Sequence, residues 1–207
     1  MPTVVCGPSG VGKGTLLTYL KQYYTNAFAV SVSHTTRQPR PGEVNGETYH
    51  FVSREQFEQG ISRGEFVEYA DVHGNWYGTS KQALRDVADR KKIALLEIDV
   101  QGAQNIKKLS GVKAFYLFIT MTGYFDNNKL LPDCGIELLS PRLAGRGTET
   151  IEQVEKRMKT AEKELDFFAN NRGFFDKVIT NDDLKKSQQD ITRIFAEWYP
   201  WIQTQHK

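Results

Sequence analysis

A chain of 207 residues, 39% apolar and 25% charged, has the composition of one soluble globular domain, with or without small lobes, long enough to bury a core. A formal charge of +2 gives no argument for nucleic acid or a membrane surface as partner, and no apolar run approaches membrane-spanning length. Two cysteines in unlike contexts, Cys6 and Cys134, argue against a disulfide framework. Together with a start on a strand pattern rather than a leader, this makes the cytoplasm the expected compartment.

The first element is a short apolar strand, Thr3–Cys6, and behind it stands Gly7-Pro8-Ser9-Gly10-Val11-Gly12-Lys13-Gly14-Thr15. Glycines at this spacing let several backbone N–H groups turn toward one anion, and the helix that begins around Leu16–Leu20 adds its positive end. Lys13 is placed to reach the β- and γ-phosphates of a nucleotide. A glycine-rich turn joining strand to helix is the plain alternative, but G-x4-G-K in this setting makes it the minor one. The motif ordinarily carries Ser or Thr after the lysine to touch Mg2+. Here Gly14 stands there, with Thr15 one step later, so direct hydroxyl ligation of the metal is not expected.

Further β-type runs follow at Phe28–Val32, Ile93–Ile98, Ala114–Ile119 and Lys177–Thr180. With the first strand they predict an α/β fold with five parallel strands, the phosphate loop at the carboxyl end of the first. Two stretches interrupt the alternation. Residues 33–81 carry strand signals at Thr48–Val52 and Glu65–Ala70 and read as a small inserted lobe. Within it Arg37 and Arg40 lie in a segment that Pro39 and Pro41 keep out of helix, where both guanidinium forks can face one anion. Tyr49, Tyr77 and turns at Gly46 and Gly78 follow. Residues 121–148, with Arg142 and Arg146, read as loop and short helix over the active site.

The stripe Ile151, Val154, Met158, Ala161, Leu165, Phe168 predicts a helix packed on the core, with Thr150 and Gln153 as a capping box. Ile191, Ile194, Phe195, Trp198 and Ile202 predict a last helix whose end Pro200 disturbs. Its aromatic residues are expected to pack rather than to bind.

The stretches Gly7–Thr15, Ser33–Gly46, Glu65–Glu68, Tyr77–Thr79, Glu97–Gly102, Arg146–Thr150 and Val178–Leu184 together resemble guanylate kinases over nearly the whole chain. The resemblance implies transfer of the γ-phosphoryl group of ATP to GMP with Mg2+, and dGMP as a further acceptor. It also implies a P-loop kinase fold in three parts: a core of residues 1–32, 82–120 and 169–207, a GMP-binding lobe of 33–81, and a lid with an insertion, 121–168. Carried over, the ATP site falls on Gly10, Val11, Gly12, Lys13, Gly14, Thr15, Arg142, Arg146, Asn181 and Asp182. The GMP phosphate falls on Arg37, Arg40, Tyr49 and Tyr77, and the guanine on Ser33, Glu68 and Thr79. Glu97 assists the acceptor, and Asp99 orients Mg2+ and its waters from the outer shell. Lys13, Arg40, Arg146 and Arg157 supply charge to the transferring group.

Glu68 has a logic of its own, since a carboxylate accepts from the N1–H and the amino group of guanine together, a donor pair adenine lacks. Between Phe118 and Arg142 the chain is longer than the family pattern by roughly a dozen residues. Gly123–Ser140 holds this excess, and its apolar residues pack either locally or on a second subunit, so monomer and homodimer both stay open. GMP and ATP are the expected partners, with neither nucleic acid nor membrane. The alternative reading is a non-catalytic guanylate kinase-like module that binds phosphorylated partners. The intact Gly12-Lys13 pair speaks against it.

Overall fold

Strand β1 (Thr3–Cys6) is buried along its whole length, as an unbroken apolar run in the middle of a parallel sheet must be. In the computed structural model, which describes residues 1–72, 74–109, 111–121, 125–126, 129–130 and 151–205, it is the central strand of five. Its neighbours are β7 (Ile93–Glu97) and β8 (Phe115–Thr120), flanked in turn by β2 (Phe28–Val30) and β11 (Lys177–Thr180). All four pairings are parallel. The five predicted strands are therefore present, with ends differing by one or two residues. The second stops at Val30 because the chain leaves for another sheet after one last bond, Ser31 N–H to the Leu95 carbonyl (2.9 Å).

From β1 the chain crosses to the edge strand β2, comes back to fill the place between them with β7, and then builds β8 and β11 on the other side of β1. The crevice at the carboxyl end of β1, where the direction reverses, is where ligands bind in sheets of this kind. Helix α1 (Lys13–Tyr23) leaves from that end and buries Leu16, Leu17 and Leu20.

The second sheet comprises β3 (His34–Thr35), β4 (His50–Phe51), β5 (Phe66–Val72) and β6 (Asn75–Ser80), in the order β4-β3-β6-β5. Between β4 and β5 lies α2 (Arg54–Ser62), started by a reciprocal cap between Ser53 and Gln56. The runs read at Thr48–Val52 and Glu65–Ala70 appear as β4 and β5. The pairing strands β3 and β6 carry no comparable apolar signal. One expectation is corrected here: Gly78 is not in a turn but in mid-strand, opposite Tyr69 and His34. It is small because a Cβ there would meet the Glu68 carbonyl and the Phe57 ring, each at 2.9 Å. Gly46 does turn, with φ 82° and its N–H on the Tyr49 carbonyl (2.8 Å).

Helices α3 (Lys81–Asp89) and α4 (Val100–Lys108) lead into and out of β7. In place of loop and short helix alone, the second interruption contains an antiparallel ribbon of β9 (Phe125–Asp126) and β10 (Lys129–Leu130). Most of Gly123–Ser140, together with Arg142, Arg146 and Thr150, lies outside the described residues, as does Cys134. The predicted stripe forms helix α5 (Ile151–Asn170), with Ala161, Leu165 and Phe168 in the core and Phe168 stacked on Phe118 at 4.3 Å. The last helix, α6 (Leu184–Trp198), ends before Pro200, and a 3-10 turn follows. Trp198 stacks on Phe115 at 4.6 Å and Tyr199 bonds Thr3 (2.7 Å), so these two pack, as expected, whereas Trp201 is exposed.

Candidate active site

The loop after β1 is shaped by three glycines. At Gly7 (φ 141°) a Cβ would overlap the Ile119 carbonyl oxygen of β8, so nothing larger fits. Gly10 and Gly12 turn left-handed (φ 86° and 99°), and Gly12 caps α1 with no side-chain oxygen. The first N–H groups of α1 are thereby left to face an anion rather than a cap. Lys13 reaches back over the loop, its ammonium on the Gly7 and Pro8 carbonyls (2.6 and 3.1 Å).

Two distant residues close on this loop. The Asn181 amide donates to the Val11 carbonyl (2.7 Å) and lies 2.5 Å from where a Cβ on Gly12 would stand. Asn181 thus shapes the loop from below, whatever it does for a base. From α5, the Arg157 guanidinium donates to Ser9 Oγ (2.6 Å).

In front of the loop opens a cavity of about 690 Å³ with the second sheet as its far wall. Of the expected site residues it brings together Gly10, Gly12, Lys13, Gly14 and Thr15 on one side. Ser33, Arg37, Arg40, Tyr49, Glu68 and Tyr77 stand on the other, with Glu97, Asp99 and Arg157 between them. Val11, Thr79 and Asn181 stand behind the wall, all of them buried, and Asp182 is not on it.

On the far wall Arg37 is held at every side. Its two terminal nitrogens meet both oxygens of Glu43 (2.9 Å each), its Nε–H donates to Tyr77 Oη (3.2 Å), and it lies over the Tyr49 ring at 5.4 Å. Glu43 also accepts the Arg40 backbone N–H (2.7 Å), tying the two arginines to one carboxylate. Burial opposes the Arg37 charge, but the Glu43 fork overrides it and the guanidinium pKa rises. Burial likewise resists the charge on Glu43, whose pKa is nonetheless lowered by Arg37 and the Arg40 amide. Burial beside Glu97 pushes the Tyr49 phenol up to about 12, so it remains a neutral donor.

Glu68 is 5% exposed. One oxygen accepts from both the N–H and the hydroxyl of Thr79 (2.8 and 2.6 Å). The other faces Gly102, where a Cβ would come within 2.6 Å of it. Burial raises its pKa to about 7 against the pull of Thr79, and Asp99 adds to the rise. Asp99 caps α4 through the Gly102 N–H (2.8 Å), and burial raises its pKa too. Beside it Cys6 is inert, its thiol pushed well up by burial and by the Glu164 charge.

Glu43 and Glu164 escaped the sequence reading. Glu164 is 8% exposed, on the cavity wall, with burial raising its pKa to about 7 against the pull of Lys13 and the Val100 N–H. The signal for it was an acid set inside a buried helical stripe, between Ala161 and Leu165. For Glu43 it was an acid three residues beyond Arg40, closing a Pro-Gly turn.

The carboxylates near the loop suit a metal held through phosphates and water. Glu97 and Asp99 both line the cavity, and a Cβ on Gly14 would lie 3.7 Å from Glu97 Oε2. Acceptors so placed fit the waters of a bound Mg2+, which keeps several of them.

The guanylate kinase family model matches residues 1–198. The chain is 40% identical over 196 residues to the guanylate kinase of Sus scrofa, covering 95% of this chain and 92% of that one. To guanylate kinase 1 of Oryza sativa subsp. japonica it is 43% identical over 195 residues, 94% of this chain and 47% of the rice protein, about half its length. Among solved structures, guanylate kinase from Anaplasma phagocytophilum matches with a TM-score of 0.65 at 28% identity, over 100% of this chain and 87% of that one.

Proposed function

This chain belongs to the guanylate kinase family of ATP-dependent nucleoside monophosphate kinases, and from that premise we propose that it phosphorylates GMP, and also dGMP, with ATP. One observation carries the reading: a single cavity holds a phosphate loop on one wall and, on the other, a buried carboxylate beside an arginine pair. In this reading the loop amides and Lys13 hold the donor phosphates, with Asn181 and Asp182 toward the donor base. Arg37, Arg40, Tyr49 and Tyr77 hold the acceptor phosphate. Thr79 occupies one oxygen of Glu68, and the carboxylate meets the guanine N–H edge, with Ser33 beside it.

An oxygen of the GMP phosphate attacks the γ-phosphorus in line, the bond to the β-phosphate oxygen breaks, and ADP leaves. Such a reaction asks the protein for alignment and positive charge, with no protein nucleophile. Lys13, Arg40 and Arg157 supply the charge, joined by Arg142 and Arg146 from the lid. Mg2+ supplies charge neutralisation on the phosphates when bound, with Asp99 accepting from its waters. Closure of the lobe of residues 33–81 and the lid of 121–168 over the core then excludes water, which would otherwise take the phosphoryl group.

The test is ADP formation from ATP with GMP, dGMP, AMP, UMP and CMP offered separately. GMP and dGMP are expected to turn over by far the fastest. AMP turned over as well as GMP, or no ADP with any acceptor, sinks the reading.

A further inference from the structure

The sheet wall of the cavity holds an acid, Glu43, where a phosphate is to bind, and on charge alone that acid is a hindrance. Its placement is built into a turn. In Arg40-Pro41-Gly42-Glu43 the Glu43 N–H returns to the Arg40 carbonyl (3.0 Å), and Gly42 (φ 83°) takes the left-handed torsion that a proline-glycine turn needs at its third residue. The side chain folds back over the same turn to accept the Arg40 N–H (2.7 Å) and to span both terminal nitrogens of Arg37 (2.9 Å each). Little water reaches the pair, whose side chains are 14% and 18% exposed. A guanidinium has five N–H groups and accepts nothing. In Arg37, Nη1 gives one to Glu43 and one to the Gln38 carbonyl (2.7 Å), Nη2 gives one to Glu43, and Nε gives its own to the Tyr77 hydroxyl (3.2 Å). Among the described residues, one N–H on Nη2 is left for a ligand. Because Arg37 can only donate, the Tyr77 oxygen must accept, which keeps the Tyr77 O–H for donation elsewhere.

We propose that Glu43 is a positioning residue for the acceptor phosphate: by holding the Arg37 fork it aims the remaining Nη2 donor and the Tyr77 hydroxyl at one phosphate, so that a negative charge strengthens the binding of a negative ligand. The inference rests on the acceptor phosphate lying on Arg37, Arg40, Tyr49 and Tyr77, and its test separates the two. The sign of the effect is the discriminating feature. An acid that merely stood near the phosphate would repel it, and its removal would tighten GMP. An acid that holds the fork has the opposite effect, because an unheld Arg37 must give up its rotamer freedom each time GMP binds. The turn itself does not depend on the carboxylate, since the backbone bond from Glu43 to Arg40 and the torsion of Gly42 remain without it.

The experiment measures the Kd for GMP by calorimetry, the KM for ATP, and inhibition by guanosine, which has no phosphate. The proteins are the wild type, Glu43→Ala, Glu43→Gln, Arg37→Ala and the double alanine variant. Glu43→Ala should weaken GMP by about tenfold, with the KM for ATP and inhibition by guanosine within about twofold of wild type. Glu43→Gln keeps one acceptor but sets its amide donors against the Arg37 fork, so it should still weaken GMP several-fold. If Glu43→Ala does not fold, this nearly isosteric variant carries the test. The double variant should bind GMP no more weakly than Arg37→Ala, because what Glu43 holds is already absent. GMP bound as tightly as by the wild type, or more tightly, in the Glu43 variants overturns the inference alone. So does an equal loss for guanosine, or a double variant weakened by the product of the two single effects. Unchanged GMP binding in Arg37→Ala overturns both it and the placement of the acceptor phosphate.

Discussion

The two walls of the cavity are built on different principles. The phosphate-loop wall is a glycine-turned backbone path beside Lys13, and its glycines are chosen for what they lack. The sheet wall is instead made of side chains, Glu68, Arg37 and Tyr77, brought from β5, β6 and the segment after β3, each held by a polar neighbour. A backbone site fails when its path is disturbed. A side-chain site fails when one functional group changes. The first is therefore sensitive to volume and torsion, the second to charge and hydrogen-bond direction.

The largest break expected in this contrast is Gly7→Ala. One methyl group both strains a φ of 141° and overlaps the Ile119 carbonyl. Strain and overpacking together cost about 4 kcal/mol, so the thermal midpoint should fall by about 8–16 °C. A midpoint within about 2 °C of wild type would show that the loop yields where it is taken as rigid.

Next comes Glu68→Gln, a change of nearly no volume. The glutamine oxygen still serves Thr79, but its amide then presents donors to the donor edge of guanine. The loss should be about 1.5–3 kcal/mol in kcat/KM for GMP, with KM for ATP unchanged. With its carboxyl at about 7 in the free protein, wild-type kcat/KM for GMP should also decline as pH falls below about 7. Glu68→Gln should lack that limb. Equal GMP efficiency in the two proteins, or the same pH limb in both, places guanine elsewhere.

Gly14→Ser tests the backbone wall from its tolerant side. Gly14 is not left-handed, and its Cβ direction meets only Glu97 Oε2, at an ordinary 3.7 Å. Turnover should change by less than about 1 kcal/mol in kcat/KM. A gain of tenfold or more would mean that the missing hydroxyl matters as a metal ligand.

The smallest effect is a pH dependence of stability on the sheet wall. His34 lies tilted against His50 at 4.5 Å and packs edge-on to Phe66, with its Nδ1 buried and without a hydrogen-bond partner among the described residues. Burial, and then the His50 charge, lower its pKa to about 4. A depressed folded pKa means that its share of stability is full above about 6.5 and is lost as pH falls toward 4. Glu68 and Glu164, raised to about 7, act in the opposite sense, each favouring the fold as pH falls from about 7 toward 4.5. From pH 7 to pH 5 the thermal midpoint of His34→Phe should thus move upward relative to that of the wild type. Parallel curves would show that His34 does not titrate as its burial requires.

Legibility followed the same division. The phosphate loop occupies nine consecutive residues, and its torsions are demanded by residues that stand side by side, so it could be read directly. The five core strands were legible as short apolar runs, because burial on both faces of a parallel sheet excludes polar residues, and the stripe of α5 was legible as a repeat of about 3.6. Strands β3 and β6 were not, since two residues carry no period and Asn75–Ser80 alternates around Gly78, whose smallness answers to Phe57 and Glu68 across the sheet. Glu43 and Glu164 carried only a weak signal for a related reason: an acid reads as solvated surface until its partners are known. Sequence alone thus determined the local devices, a glycine path for phosphate, an apolar core and a pair of arginines kept out of helix. Tertiary structure decided which of them meet. Ser9 and Arg157 stand 148 positions apart and Val11 and Asn181 170 apart. No local propensity or spacing encodes such pairs, because they come from the order in which a parallel sheet stacks its strands.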